Sequence, residues 1–247
     1  MSYTYADVAK MIDHSLLRPV IPVEELEAGC RLALEYDVAS VCILPYYLKR
    51  CAQILAGSSV VASTTIGFPH GGHTTSVKVL EAEQALADGA TELDMVVNIS
   101  KLRSGDWAYV RDDVAAVLEA VRASAAKLKV IFENCFLDDA QKIRLCEICG
   151  ELSVDWVKTS TGFGSGGATD EDLILMRKHT PAHVQLKAAG GVRDLDGLIK
   201  VRDLGGSRCG ATATAAMLDE YRRRREAAEK AGKPADGKNG ALGAGGY

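Results

Sequence analysis

Along most of this chain, short apolar runs alternate with longer segments whose apolar residues recur every three or four positions. The runs are rich in Val, Ile and Thr, as in ASVCIL at 39–44 and VVASTTI at 60–66, and are bounded by Gly, Asp or Ser. That is the pattern of buried strands. It predicts strands at Met11–Ser15, Ala39–Leu44, Val60–Ile66, Glu92–Val97, Lys129–Asn134, Val154–Thr159, Val184–Ala188 and Ser207–Gly210. The intervening periodic segments predict helices at Val23–Glu35, Tyr46–Leu55, Ser76–Ala87, Trp107–Ala125, Asp138–Cys149, Asp170–Lys178, Leu195–Val201 and Ala213–Arg225. Asp138-Asp139 is a helix start signal and Asp88-Gly89 a stop signal. Strands separated by helices indicate a parallel sheet. Eight such units in 247 residues match a closed TIM (β/α)₈ barrel, an α/β fold. After Arg225 the chain changes character, to EAAEKAGKPADGKNGALGAGGY. The expected organisation is therefore one barrel domain over 1–225 and a flexible Ala/Gly/Lys-rich tail over 226–247.

Composition narrows the function classes. With 47% hydrophobic and 25% charged residues the chain can bury a large core. A net charge of −4 speaks against a broad nucleic-acid surface. No apolar run is long enough for a membrane span, and the start, MSYTYADVAK, lacks the apolar segment of a signal peptide. Seven cysteines, an odd number scattered through apolar patterns, suit reduced thiols in a cytoplasmic protein. Small molecules are the expected partners.

The candidate chemistry lies where a barrel keeps it, at the carboxyl ends of strands. Those positions hold Asp13 and His14, Asp94 and Asn98, Glu133 and Asn134, Lys158 and Thr159, and Lys187. Lys158 ends an apolar strand and leads into the Gly-rich turn TSTGFGSGG. A desolvated lysine loses its proton more readily, and a neutral amine can attack a carbonyl to form a Schiff base. Lys187, sharing the same mouth, would disfavour the charge on Lys158. Asp94 could accept a hydrogen bond from a lysine and relay protons. The alternative for the same three residues is a structural ion pair inside the barrel. Gly190-Gly191 and Gly210-Ala211-Thr212 follow the last two strands, where backbone N–H groups and a helix start can cradle a phosphate. Each glycine pair alone would be a simple turn. Asp13 and Thr159 complete the expected substrate contacts. Gly162-x-Gly164-x-x-Gly167 sits too late in the chain, and directly after a strand-end lysine, to be a dinucleotide fingerprint. Cys146-x-x-Cys149 lies in a helical pattern and reads as two core thiols.

These blocks, in this order, resemble the deoxyribose-phosphate aldolases: IDHSLLRP, SVCILP, IGFPHGG, ALADGATELDMVVNI, KVIFENCFL, DWVKTSTGFGSGGAT, VQLKAAGGVRD and SRCGAT. The resemblance runs from about Ile12 to about Met217. It implies a class I aldolase, using neither metal nor cofactor, that reversibly cleaves 2-deoxy-D-ribose 5-phosphate into D-glyceraldehyde 3-phosphate and acetaldehyde. It places the Schiff-base lysine at Lys158, the second lysine at Lys187 and the proton-relay aspartate at Asp94. It also implies pairing into a homodimer, although no segment marks an interface. Ala189 and Ala211 stand where the family commonly has hydroxyl residues, and Asn134 where a threonine is frequent. Some members end in tyrosine, as this chain does, which makes Tyr247 a candidate accessory acid or base. The residues alone leave two rivals, another Schiff-base sugar-phosphate aldolase or transaldolase, and a barrel that binds sugar phosphates without chemistry.

Overall fold

The computed structural model describes residues 3–230. Eight strands close into a barrel in chain order: β1 (Ile12–Leu16), β2 (Ser40–Ile43), β3 (Val61–Ile66), β4 (Glu92–Val96), β5 (Lys127–Ile131), β6 (Trp156–Lys158), β7 (Gln185–Ala189) and β8 (Arg208–Ala211). Every neighbouring pair is parallel, and β8 returns to β1 through Asp13 opposite Gly210. Helix α1 (Tyr5–Ala9) precedes the barrel. The connections carry α2 (Val23–Glu35), α3 (Leu48–Leu55), α4 (Thr75–Ala87), α5 (Ile99–Arg103), α6 (Trp107–Ala123), α7 (Asp139–Leu152), α8 (Asp170–His179), α9 (Leu195–Asp203) and α10 (Thr214–Lys230). No helix of the described residues is long and apolar enough to cross a membrane.

The helices start where short polar side chains can satisfy free backbone N–H groups. Asp138 accepts from Gln141 N, and the Gln141 side chain accepts from Asp138 N, a reciprocal cap for α7. Thr169 and Asp194 cap α8 and α9 in the simpler, one-way manner.

Alternation along the strands divides two environments. Val41, Ile43, Leu93, Met95, Leu128, Val130, Val157 and Leu186 are fully buried and belong to the apolar core. One residue along, the facing set carries Glu92, Asp94, Lys129, Lys158 and Lys187, with Cys42 and Trp156 among them. Asp13 on β1 meets Lys129 on β5, and strands on opposite sides of a barrel can touch only through its interior. The apolar core is thus the layer between sheet and helices, and the barrel centre holds charge.

A second buried ion pair lies outside the barrel centre. Lys78 on α4 meets Asp113 on α6 at 2.6 Å, and also donates to the Val96 carbonyl at 3.0 Å. Both side chains are inaccessible to water. Lys78→Met should lower stability by about 3–5 kcal/mol, because it strands the Asp113 charge, and adding Asp113→Leu should recover most of that loss. Thermal unfolding of the two variants measures this.

Element limits differ from the sequence reading in a few places. β5 begins two residues earlier and stops at Ile131, because Glu133 adopts a left-handed backbone and a 3-10 turn follows at Asn134–Phe136. α7 runs on to Leu152 and stops at left-handed Ser153, a residue type that does not announce a helix end. α10 continues to Lys230, five residues beyond the expected limit of the barrel domain. Tyr247 and the rest of the tail lie outside the described residues.

Candidate active site

Lys158 is the last residue of β6. Its carbonyl accepts from Phe132 N at 2.9 Å, and Thr159 N donates to the Lys187 carbonyl at 3.2 Å. The backbone is therefore fixed from both neighbouring strands, and β6–β7 register sets Lys158 beside Lys187. Lys158 Nζ donates to Asp94 Oδ2 at 2.8 Å, and Lys187 Nζ reaches the same oxygen at 2.7 Å. The three residues read from strand ends do converge.

They are the upper part of a larger cluster. Lys187 also meets Asp13 Oδ2 at 2.5 Å. Below them Lys129 contacts Glu92 at 2.6 Å, Asp94 Oδ1 at 3.0 Å and Asp13 at 3.6 Å. Arg208 ties Asp13 to Glu92, the latter at 2.6 Å, and its guanidinium lies 5.1 Å from the ring centroid of Trp156. Lys129, Glu92 and Arg208 were not singled out in the sequence. Glu92 lies two residues before Asp94 on β4, so the period-2 alternation that marks Asp94 as inward-facing marks Glu92 as well.

Charge decides what this cluster does. Four bases (Lys129, Lys158, Lys187, Arg208) face three carboxylates (Asp13, Glu92, Asp94). A buried net charge is costly, so one base is in surplus. Among the cluster's bases Lys158 has the fewest carboxylate contacts, Asp94 alone. Burial pushes its ammonium below the ordinary lysine range, against the pull of Asp94 and with the help of the Lys187 charge. Burial would also depress Lys187, but the Asp13 and Asp94 carboxylates overcome it and hold that ammonium above its usual range. Asp94 resists the desolvation that would raise it, because Lys129, Lys158 and Lys187 hold it well below the usual carboxylate range. Cys42, also within the barrel, is buried, and desolvation pushes its thiol up to about 11.

A cavity of about 540 Å³ opens beside this cluster at the ends of β7, β8 and β1. Gly190, Gly191, Gly210, Ala211 and Thr212 all line it, as the sequence reading expects, and so do Arg18 and Arg193. The two arginines, the cavity's cations, had not been singled out. A Cβ on Gly210 would lie 3.8 Å from Lys187 Cε, so the cavity borders the lysine cluster directly. Gly167 must be glycine, since a Cβ there would fall 2.5 Å from the Gly190 carbonyl oxygen. His14, at the cavity wall, shares a hydrogen bond with Thr214 Oγ1 at 2.8 Å, and burial lowers its imidazole to about 4, leaving it neutral near pH 7.

Two expected substrate contacts are placed elsewhere. Asp13 is fully buried below the cavity, with Lys187, Lys129 and Arg208 on its carboxylate, because its strand phase turns it into the barrel. Thr159 Oγ1 accepts from Ala189 N at 3.1 Å and lies 3.3 Å from its carbonyl, which clasps the β6 end to β7. Cys146 and Cys149 are buried in α7, as core thiols should be.

A closed parallel barrel with a desolvated lysine and a glycine-edged cavity at one mouth defines a (β/α)₈ enzyme. Comparison with known proteins is specific. The DeoC/LacD family aldolase pattern matches residues 7–213. A deoxyribose-phosphate aldolase of Rhodopirellula baltica is 64% identical over 221 residues, 90% of this chain and 92% of that protein. One from Caldanaerobacter subterraneus subsp. tengcongensis is 44% identical over 218 residues, 88% of this chain and 94% of that protein. Among solved structures, a putative deoxyribose-phosphate aldolase from Coccidioides immitis superposes with a TM-score of 0.85 at 35% identity, covering 90% of this chain and 88% of that one. A tetrameric deoxyribose phosphate aldolase from Aeropyrum pernix has a TM-score of 0.81 at 26% identity, covering 89% and 92%. The chain belongs to the DeoC/LacD family of aldolases.

Proposed function

We propose that this enzyme is a class I aldolase that reversibly cleaves 2-deoxy-D-ribose 5-phosphate into D-glyceraldehyde 3-phosphate and acetaldehyde through a Schiff base on Lys158. The observation that carries the reading is the surplus base: Lys158 is buried, contacts one carboxylate and has its pKa driven down, in the cluster whose Lys187 borders a cavity bearing two arginines. The names of the relatives supply the substrate.

In the cleavage direction the neutral Lys158 amine adds to the C1 carbonyl of the open-chain sugar, and loss of water gives an iminium. Loss of the 3-hydroxyl proton then breaks the C2–C3 bond, whose electron pair passes to the iminium as an enamine. The C3 fragment departs as glyceraldehyde 3-phosphate. Protonation of the enamine at C2 and hydrolysis release acetaldehyde and restore the amine. Lys187 and Asp94, whose Oδ2 accepts from both Lys158 and Lys187, are the proton carriers, working with a water molecule. Lys187 has a second duty, since its charge helps keep Lys158 neutral. The substrate phosphate sits on the N–H groups around Gly190, Gly191, Gly210, Ala211 and Thr212, where backbone donors serve in place of the two missing hydroxyls.

The direct assay is release of acetaldehyde and glyceraldehyde 3-phosphate from the sugar phosphate. Absence of both from folded protein would overturn the proposal. Arg18→Ala and Arg193→Ala should each raise KM for the phosphorylated sugar about tenfold, a loss expected for one charged hydrogen bond, while leaving kcat/KM for unphosphorylated 2-deoxyribose within about twofold. Equal losses on both sugars would show that the arginines do not read the phosphate.

A further inference from the structure

Among the described residues, six carboxyl side chains are buried: Asp13, Glu92, Asp94, Asp113, Glu133 and Asp172. Five of them have a lysine or arginine at ion-pair distance. Glu133 has none and is bonded through Thr161 instead. Its backbone is also unfavourable, with φ 60° and ψ 63°, the left-handed region that a residue with a Cβ seldom adopts. A buried carboxyl on a strained backbone persists only where its surroundings over-determine it, and such residues gather at functional sites.

The strain has a local geometry. Phe132 N donates to the Lys158 carbonyl at 2.9 Å and Asn134 N to the Thr159 carbonyl at 3.0 Å, so the kink at Glu133 falls between two bonds to the end of β6. It sends the carboxyl onto the loop that follows Lys158. Glu133 Oε1 accepts from Thr161 N at 3.1 Å, and Oε2 accepts from Thr161 Oγ1 in a short hydrogen bond. Thr161 Oγ1 in turn accepts from Phe163 N at 2.9 Å. Gly164 closes over the pair, since a Cβ there would lie 3.1 Å from Glu133 Cδ. Desolvation raises the Glu133 pKa, opposed by its bonds to Thr161 and the charge of Lys158.

We propose that Glu133 is a positioning residue for Lys158: by gripping both the N–H and the hydroxyl of Thr161, it holds residues 159–163 in the course that fixes where the Lys158 amine stands. The inference rests on the Schiff-base reading of Lys158. A shift of about 1 Å at a reacting group can cost on the order of 10²-fold in rate. The loop is anchored by backbone bonds at Lys158 and Thr159 and by this side-chain grip further on, so releasing the grip frees the segment next to the nucleophile, while Gly190 at the phosphate cavity, against which the same loop packs at Gly162 and Gly167, keeps its backbone bond from Ala168.

The test measures borohydride trapping of acetaldehyde on Lys158, together with kcat and KM, in wild type, Glu133→Ala, Glu133→Gln and Thr161→Val. Glu133→Ala should slow trapping and lower kcat together, by about 10- to 100-fold, with KM changed less than about threefold. Glu133→Gln, whose amide oxygen can still accept from Thr161 N, should recover both to within about fivefold of wild type. If Glu133→Ala does not fold, Thr161→Val keeps the backbone half of the grip and should slow trapping by an intermediate factor. Trapping within about twofold of wild type in folded Glu133→Ala, or in Thr161→Val, would overturn the positioning role. So would a fall in kcat that leaves trapping untouched. Failure to trap wild type would instead overturn the Schiff-base reading on which this rests.

Discussion

Replacing Lys158 by methionine should abolish turnover, with kcat falling by about 10⁴- to 10⁶-fold, the loss typical of removing a nucleophile that acts as part of a unit. Methionine matches the length of the stem and fills the same space, so the effect isolates the amine. The protein should remain folded and gain stability. In the folded state burial lowers the Lys158 pKa, so this group opposes folding below the unfolded lysine range, and the penalty grows as pH falls from that range and levels off below the folded value. Deleting it removes the surplus base and leaves three cations facing three carboxylates. Thermal unfolding near and below neutral pH should show a Tm at or above that of wild type. A marked drop in Tm would mean that Lys158 serves chiefly as a structural partner of Asp94.

Asp94→Asn should do the opposite to stability. Asp94 takes bonds from Lys129, Lys158 and Lys187, all buried. Neutralising it leaves more positive charge than the centre can hold, at a cost of about 3–5 kcal/mol. For a chain of this size that corresponds to a Tm lower by about 10 °C. Turnover should fall by about 10²- to 10⁴-fold with the loss of a proton carrier. The pH–rate profile supplies the sign. Asp94 pulls the Lys158 pKa up and Lys187 pushes it down. Asparagine at 94 therefore moves the acid limb of residual activity to lower pH, whereas Lys187→Met moves it to higher pH. Limbs that both rose, or that did not move, would show that the two neighbours do not set the charge of Lys158.

The main architecture and the top of the site could be read from the chain because both follow from alternation. Apolar runs of strand length separated by helical periodicity indicate a parallel barrel, and a parallel barrel directs attention to strand ends. Lys158, Lys187 and Asp94 were found that way. Asp13 came from the same rule as an expected substrate contact; it is the second residue of β1, turned in to the centre with Lys129, Lys187 and Arg208 on its carboxylate. Glu92, Lys129 and Arg208 escaped because they sit one layer deeper, where charge on a strand is unexpected until partners on distant strands are known. Glu133 drew notice as a strand-end polar residue, but its left-handed kink is a tertiary feature. Without the bonds from Phe132 and Asn134 to the end of β6, a glutamate gives no sign of ending a strand. The short helices α1 and α5, capped in the structure by the side chains of Thr4 and Asn98, carry too little periodicity at five residues each to stand out in the sequence.

The most direct test of the central claim is reduction with borohydride in the presence of acetaldehyde, followed by intact and peptide mass spectrometry. The account predicts a single two-carbon reduced adduct on Lys158, absent from Lys158→Met and formed faster as pH rises through the depressed pKa of that amine. No adduct on the folded protein would contradict it, and an adduct on Lys187 in place of Lys158 would reverse the two lysine roles.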